Sequence, residues 1–381
     1  MEGCVGGVLK PAGYWRRAGV LKHHLGGAGS VLLPESLTEL NISGSVVGNE
    51  GAKALASALR VNGVLTNLNL GQDYNIGGIG DEGAKALASA LRVNAVLTEL
   101  RLDENRIGDE GATALASALR VNGVLTTLAL PHNNIGAEGA AAIAEALRGN
   151  AVLTELRLGA NEIGGEGAKA LASALRVNGV LKNLDLGENE IGDEGAKAIG
   201  GALAVNGVLT TLNLANNQIR DQGAAAIAEA LRGNGVLTEL QLGANYIGGE
   251  GAKALASALR VNGVLTSLNL QNNFIRDEGA TAIAEALQGN AVLTSLDVSY
   301  NSLTEEAALG IVRVERQRNK LTSLGLSRCS IGPTGAAEIA EYVSGSGVLK
   351  NIDLSYNSLG DEGRKAIHDA VSGREGFELL M

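Results

Sequence analysis

The sequence predicts an α/β solenoid of about twelve repeats of 28 residues, drawn as a horseshoe with a parallel β-sheet on its concave face and α-helices on its convex face. Three observations carry this. Leucines mark repeat starts at 37, 65, 97, 125, 153, 181, 209, 237, 265, 293, 321 and 349, each 28 after the last except for one interval of 32. Every interval holds a short segment of strand-like alternation followed by an alanine-rich run of helical spacing. The composition is 45% hydrophobic but only 2% aromatic, with 54 glycines and 4 prolines. A core of Leu, Ile, Val and Ala without rings fits thin, similar layers, because rings normally fill the irregular gaps of a compact core.

Each element follows from its residues. In "LTTLAL", Leu128 and Leu130 lie two apart and share one sheet face, while Thr127 and Ala129 take the other. An asparagine comes next, at 105, 133, 161, 189, 217, 245, 273, 301 and 357, with Cys329 in the same slot of the eleventh repeat. Two donors and an acceptor let stacked amides of Asn105, Asn133, Asn161, Asn189, Asn217, Asn245, Asn273, Asn301 and Asn357 satisfy backbone groups where the chain leaves each strand. Asp109 then stands before an alanine-rich run as a helix N-cap. Leu115 and Leu119, four apart, pack that helix onto the sheet, and Asn122-Gly123 stops it. Three segments result: residues 1–36 as an N-terminal extension or cap, 37–363 as the solenoid, and 364–381 as a C-terminal cap. Tyr14 and Trp15 suit the first open edge, and Phe377, Leu379 and Leu380 the last.

The stretch "GGIGDEG" imitates a dinucleotide-binding turn, with Gly78, Gly80 and Gly83 in G-x-G-x-x-G spacing and Asp103 twenty residues on. Eight residues separate Leu70 from Gly78, whereas a cofactor turn begins where its strand ends. Other repeats carry the same glycines in "NRIGDEG" and "NEIGGEG", so Gly80 and Gly83 belong to the repeat. What is additional is an insertion in "GQDYNIGG", which carries Tyr74 as a contact residue and leaves Asp73 or Asn75 in the asparagine slot.

The pattern L-x-x-L-x-L-x-x-N-x-I/L, as in Leu125 to Ile135, resembles the leucine-rich repeat, and its 28-residue helical form resembles the ribonuclease-inhibitor type. NOD-like receptors and Ran GTPase-activating proteins share that form. The resemblance runs from Leu37 to about Ser372 and implies a protein-binding solenoid. Likeness to GTPase activators draws notice to Arg106 and Arg220 on strand-exit segments, since arginines supplied in trans act in such proteins. The acidic tail of those activators is not found, as the sequence ends "REGFELLM". The richness in cysteine of ribonuclease inhibitors is also missing, with two cysteines here. Innate-immune sensing or GTPase regulation is implied by resemblance alone.

Chemistry is sparse. No G-x-x-x-x-G-K-[ST] pattern occurs, and the four histidines, His23, His24, His132 and His368, lack zinc-site spacing. No catalytic residues, cofactor or metal are expected. A net charge of −10 disfavours nucleic acid as a partner. Cys4 and Cys329 form no disulfide framework, and no apolar run is long enough to insert in a membrane, so the chain reads as cytoplasmic. The basic "KPAGYWRRAGVLKHH" shares the bias of an organelle-targeting peptide but not its serine content.

A partner is expected to touch the concave face, at Glu99, Arg101, Asp103, Glu155, Arg157 and Asp185, and the loop rim. There Tyr246 and Phe274 hold the same position in adjacent repeats, with Tyr300 one repeat later and Tyr356 its equivalent two repeats on. The function expected is a non-catalytic protein-interaction scaffold or regulator. The alternative is a subunit held permanently in a larger assembly by its N-terminal segment.

Overall fold

The computed structural model describes residues 33–72 and 78–381. Cys4, Tyr14, Trp15, His23, His24 and the insertion residues Asp73, Tyr74 and Asn75 lie outside them. The chain divides into two compact units, Met1–Asn189 and Glu190–Met381.

Among the described residues, the first unit alternates six strands with five helices. The strands are Glu39–Asn41, Asn67–Asn69, Glu99–Arg101, Thr127–Ala129, Glu155–Arg157 and Asn183–Asp185, parallel and in chain order. The helices are Gly48–Leu59, Asp81–Leu91, Asp109–Leu119, Ala137–Leu147 and Gly164–Leu175. The second unit alternates seven helices, from Gly192–Leu203 to Gly360–Val371, with seven strands, from Thr211–Asn213 to Glu378–Leu380. Strand register repeats the sequence period: Glu99 pairs with Thr127 and Thr127 with Glu155. The central residue of each repeat strand, such as Leu100 or Leu268, is buried together with the helix positions Leu115 and Leu119 or Leu255 and Leu259. The last strand differs: Leu379 is half-buried while Leu380 is exposed.

Two rows of asparagines hold the turns of each unit. At the strand exits, the Asn105 amide donates to the carbonyls of Leu70, Leu102 and Asp103 at 3.0–3.2 Å, and its oxygen accepts the Ile79 N–H at 2.8 Å. Asn133, Asn161, Asn189, Asn217, Asn245, Asn273, Asn301 and Asn357 are buried in the same row. Cys329 takes one place, with Sγ 3.5 Å from the Ser327 carbonyl, and burial pushes its thiol up to about 12. Such a thiol is a small core group, not a nucleophile.

The second row corrects the expected helix stop. Helix Asp109–Leu119 ends through Arg120 in right-handed geometry, and Gly123 has no positive φ. Asn122 instead turns inward. Its amide donates to Leu91 O (2.7 Å) and Asn94 O (3.2 Å), and its oxygen accepts from the N–H groups of Val124 and Leu125. Asn94, Asn150, Asn178, Asn206, Asn234, Asn262 and Asn290 are buried at equivalent places. In the tenth repeat this slot holds Arg318, and the buried Glu315 replaces the leucine that precedes it by three.

Helix starts also depart from the sequence reading. Asp109 is the first residue of its own helix, whose N-cap is Gly108. Its carboxylate reaches into the next repeat and accepts from Gly136 N and Gly139 N, both at 2.8 Å. A 27-residue separation becomes a direct contact because the repeats stack. Asn49, Asp81, Asp193, Asp221, Asp277 and Glu305 do the same for the following helix. Wherever that acceptor exists, the residue before the receiving helix is extended, as at Gly108 (φ −99°) and Gly248 (φ −92°). Where Ala137, Gly249 or Pro333 stands instead, the matching residue takes a left-handed φ: Gly164 (61°), Arg276 (52°) and Gly360 (67°). Arg276 is the non-glycine among these three, in a region that costs an L-residue free energy. Gly249→Asp is therefore expected to cap the next helix, return Arg276 to extended backbone and raise stability by about 1 kcal/mol. A urea midpoint at or below the wild-type value would contradict this. Space permits the change, since a Cβ at Gly249 meets nothing nearer than 3.5 Å.

The false cofactor motif resolves in the same way. Gly80 and Gly83 both donate to Asn49 Oδ1, at 2.8 and 3.0 Å, so a neighbouring side chain fills the place a phosphate would need. A Cβ on Gly83 would lie 2.6 Å from Ile79 Cγ2 in its own turn and 3.0 Å from Ala52 Cβ on the preceding helix, so crowding from both sides explains that glycine.

Candidate functional site

On the strand face of the first unit, the expected contact charges are largely used internally. Arg101 pairs with Asp103 at 2.7 Å, and Arg157 donates to Glu155 at 2.6 Å. The two arginines stand either side of Ala129 in register, and Ala129 is buried rather than presented. Glu99 accepts from Asn67 at 3.2 Å, and Asp185 accepts the Gly187 N–H at 3.0 Å. This face offers neutralised pairs, each worth little in solvent. Arg106 and Arg220 are exposed on their exit segments. His132 borders an open groove of about 460 Å³ with Ala160, Glu162 and Glu188.

The second unit presents a different surface. Tyr246 and Phe274 are about half exposed, and their rings stack with centroids 6.1 Å apart and planes 10° from parallel. Phe274 also borders an open groove of about 640 Å³ with Arg276, Gly248 and Ser302. Tyr300 and Tyr356, two repeats apart, meet edge to face at 5.9 Å. Between them in the repeat order stands Arg328, its guanidinium carbon 5.8 Å from the Tyr300 ring centroid. Tyr300, Arg328 and Tyr356 all adopt φ between 52° and 58°, the geometry shared at that position by the strand exits from Glu104 onward. That backbone aims side chains outward, and Tyr356 is 78% exposed.

The structure thus groups the aromatics into two pairs, Tyr246 with Phe274 and Tyr300 with Tyr356. Arg328 was missed by sequence reasoning, although its 28-residue offset from both tyrosines was the available signal. On the strands below, Gly325 lies between Asp297 and Asp353, and its missing side chain leaves room for the Asp297 carboxyl. Burial raises the Asp297 pKa above the usual carboxylate value, opposed by hydrogen bonding from Ser299. Among the described residues no group of three or more His, Cys, Asp or Glu is arranged to hold a metal ion. Nor is any helix among them long and apolar enough to cross a membrane.

The family model described as Leucine Rich repeat matches residues 34–56, 93–116, 121–144, 149–172, 177–200, 205–228, 233–256, 261–284, 289–312, 318–340 and 348–367. No curated protein matches the sequence. Among solved structures, an internalin (inlF) from Listeria monocytogenes str. 4b F2365 is similar in fold. It is 19% identical, with a TM-score of 0.52, over 96% of this chain and 94% of its own. A structure of leiomodin-1 actin-binding site 2 (ABS2) is 30% identical over 33% of this chain and 72% of its own, with a TM-score of 0.30. The matched segments make up more than half of the sequence, and the chain belongs to the leucine-rich repeat family.

Proposed function

We propose that the protein is a non-catalytic interaction scaffold or regulator that docks a protein partner on the strand face and loop rim of its second unit. Leucine-rich repeat proteins generally act in this way, and the 28-residue repeat reads as the ribonuclease-inhibitor type. The observation that carries the reading is the rim set of exposed Tyr246, Phe274, Arg328 and Tyr356 with half-buried Tyr300, in a chain with 2% aromatic residues. Tyr and Arg dominate binding hot spots because they combine large contact area with a polar end. Around them the exits supply Ser302, Ser330, Ser358 and Asn272, a Tyr/Ser/Asn mixture like that of adaptable paratopes. Ring stacking and the fixed exit backbone hold these groups before a partner arrives, which lowers the ordering cost of binding. Residues 1–36 and 364–381 are proposed as ends flanking the repeats of 37–363, and a cytoplasmic setting suits the free, buried Cys329.

Capture of partners from native extract by the full chain, read by mass spectrometry, tests this. Alanine at Tyr246, Phe274, Tyr300 and Tyr356 together is expected to lower recovery of specific partners at least about tenfold, with the fold intact. Unchanged recovery would refute the assignment of this surface.

A further inference from the structure

We propose a second docking surface, on the first unit, along the edge where its helices end: a strip for an extended acidic polypeptide segment with apolar residues between its carboxylates. It shares no residue with the aromatic surface of the second unit.

Five consecutive corners form this strip, reading RVNGV, RVNAV, RVNGV, RGNAV and RVNGV from Arg60 to Val180, and none contains an acid. Arg60, Arg92, Arg120, Arg148 and Arg176 occupy one position in successive repeats, and all are exposed. Arg60 and Arg92 each reach a serine hydroxyl one repeat on, Ser89 and Ser117, so their charge stays uncompensated. Arg148 bonds Ser173 at 2.7 Å and pairs with Glu145 at 3.2 Å. Among the described residues, the Arg120 and Arg176 side chains have no hydrogen-bond or ion-pair partner.

Beside the arginines, Val61, Val93, Val121 and Val177 are 61–86% exposed. Complementing the negative end of each helix dipole accounts for the arginines. It does not account for valines held in water at four of five corners. A strip combining both matches a ligand with both chemistries. The inner asparagine row makes the corners rigid: Asn94 donates to the carbonyls of Leu59 and Asn62, and Asn122 to those of Leu91 and Asn94. The charges are therefore preorganised.

Guanidinium forks favour carboxylates in bidentate geometry. Adjacent repeats stand about 4.8 Å apart at the sheet and roughly 8–10 Å apart at the helices. An extended peptide advances about 3.3 Å per residue, so carboxylates at every second or third residue follow the corners. Charge complementarity also selects the place, because the net charge of −10 repels an acidic segment elsewhere. An anionic bilayer would meet that whole repulsive field, and valines are short anchors for it.

The test uses the full chain and a fluorescein-labelled peptide repeating Glu-Glu-Val, read by fluorescence anisotropy. Saturable binding is expected that weakens as salt rises and vanishes for the Gln-Gln-Val peptide. Gln at all five arginines is expected to weaken binding at least about tenfold. If that variant does not fold, Arg120→Gln with Arg176→Gln, which removes no side-chain hydrogen bond or ion pair, is expected to weaken it about threefold. Ser at Val61, Val93, Val121 and Val177 should lower affinity as well, and the aromatic alanine variant should bind as wild type does. The proposal is overturned if wild type fails to bind the peptide, or if the arginine variants bind it equally well. Binding to phosphatidylserine vesicles but not to the peptide also overturns it.

Discussion

Glu315→Ala is expected to destabilise the second unit by about 3–5 kcal/mol. Glu315 and Arg318 are 0% and 6% exposed and form a 2.6 Å ion pair. Together they perform the work one asparagine does in the preceding repeat. Arg318 donates to Asn290 O and Leu293 O, both at 2.6 Å, while Glu315 accepts the N–H groups of Lys320 and Leu321. Removing the carboxylate strands a guanidinium in the interior and frees two N–H groups, the buried one of Leu321 and the part-buried one of Lys320. Glu315→Leu combined with Arg318→Asn restores the residue types found 28 positions earlier, Leu287 and Asn290. That double variant is expected to lie within about 1 kcal/mol of wild type or above it, since apolar replacement of a buried pair is often neutral or stabilising. Urea denaturation measures both. A single-variant loss below about 1 kcal/mol would mean that solvent or an anionic group compensates Arg318.

Asn245→Ala is expected to cost about 3–5 kcal/mol, although it removes only a small, uncharged amide. Asn245 donates to Leu214 O, Leu242 O and Gly243 O at 2.9–3.2 Å and accepts from Asn217 N and Ile219 N. It is 3% exposed, so water replaces few of these bonds. Asn245→Cys should lose less, because Cys329 shows that a thiol fits the slot with weak donation to two carbonyls. Its sulfur offers no comparable acceptor, so some loss remains. Equal stability of the alanine variant and wild type in urea titration would remove the strand-exit row from the account of stability.

The sequence period made strand register, helix faces and the strand-exit asparagines readable, because each recurs at a fixed offset and has one physical use. Asn122 was harder. Asn-Gly is also a turn signal, and only three-dimensional stacking turns its amide toward Leu91 and Asn94. Asp109 obeyed the local rule for a helix start, yet its acceptor role falls on Gly136 in the next repeat. Local propensity carries no information about that partner. On the candidate surface, the rim aromatics stood out by rarity, whereas the pairing of Arg101 with Asp103 and Arg157 with Glu155 depends on rotamers that spacing does not set.

The carboxylates that cap the following helix make one repeat's helix start depend on its neighbour being folded. In a linear array, that is a nearest-neighbour coupling, and its strength decides how far an opening travels. Within the units, the junctions entered through Ala137, Gly249 and Pro333 lack this link and keep only strand pairing, the strand-exit row and packing. Hydrogen exchange along the array is therefore uneven by construction: opening spreads through capped junctions as a block and halts at the uncapped ones. Near-identical repeats become distinguishable segments through one residue each.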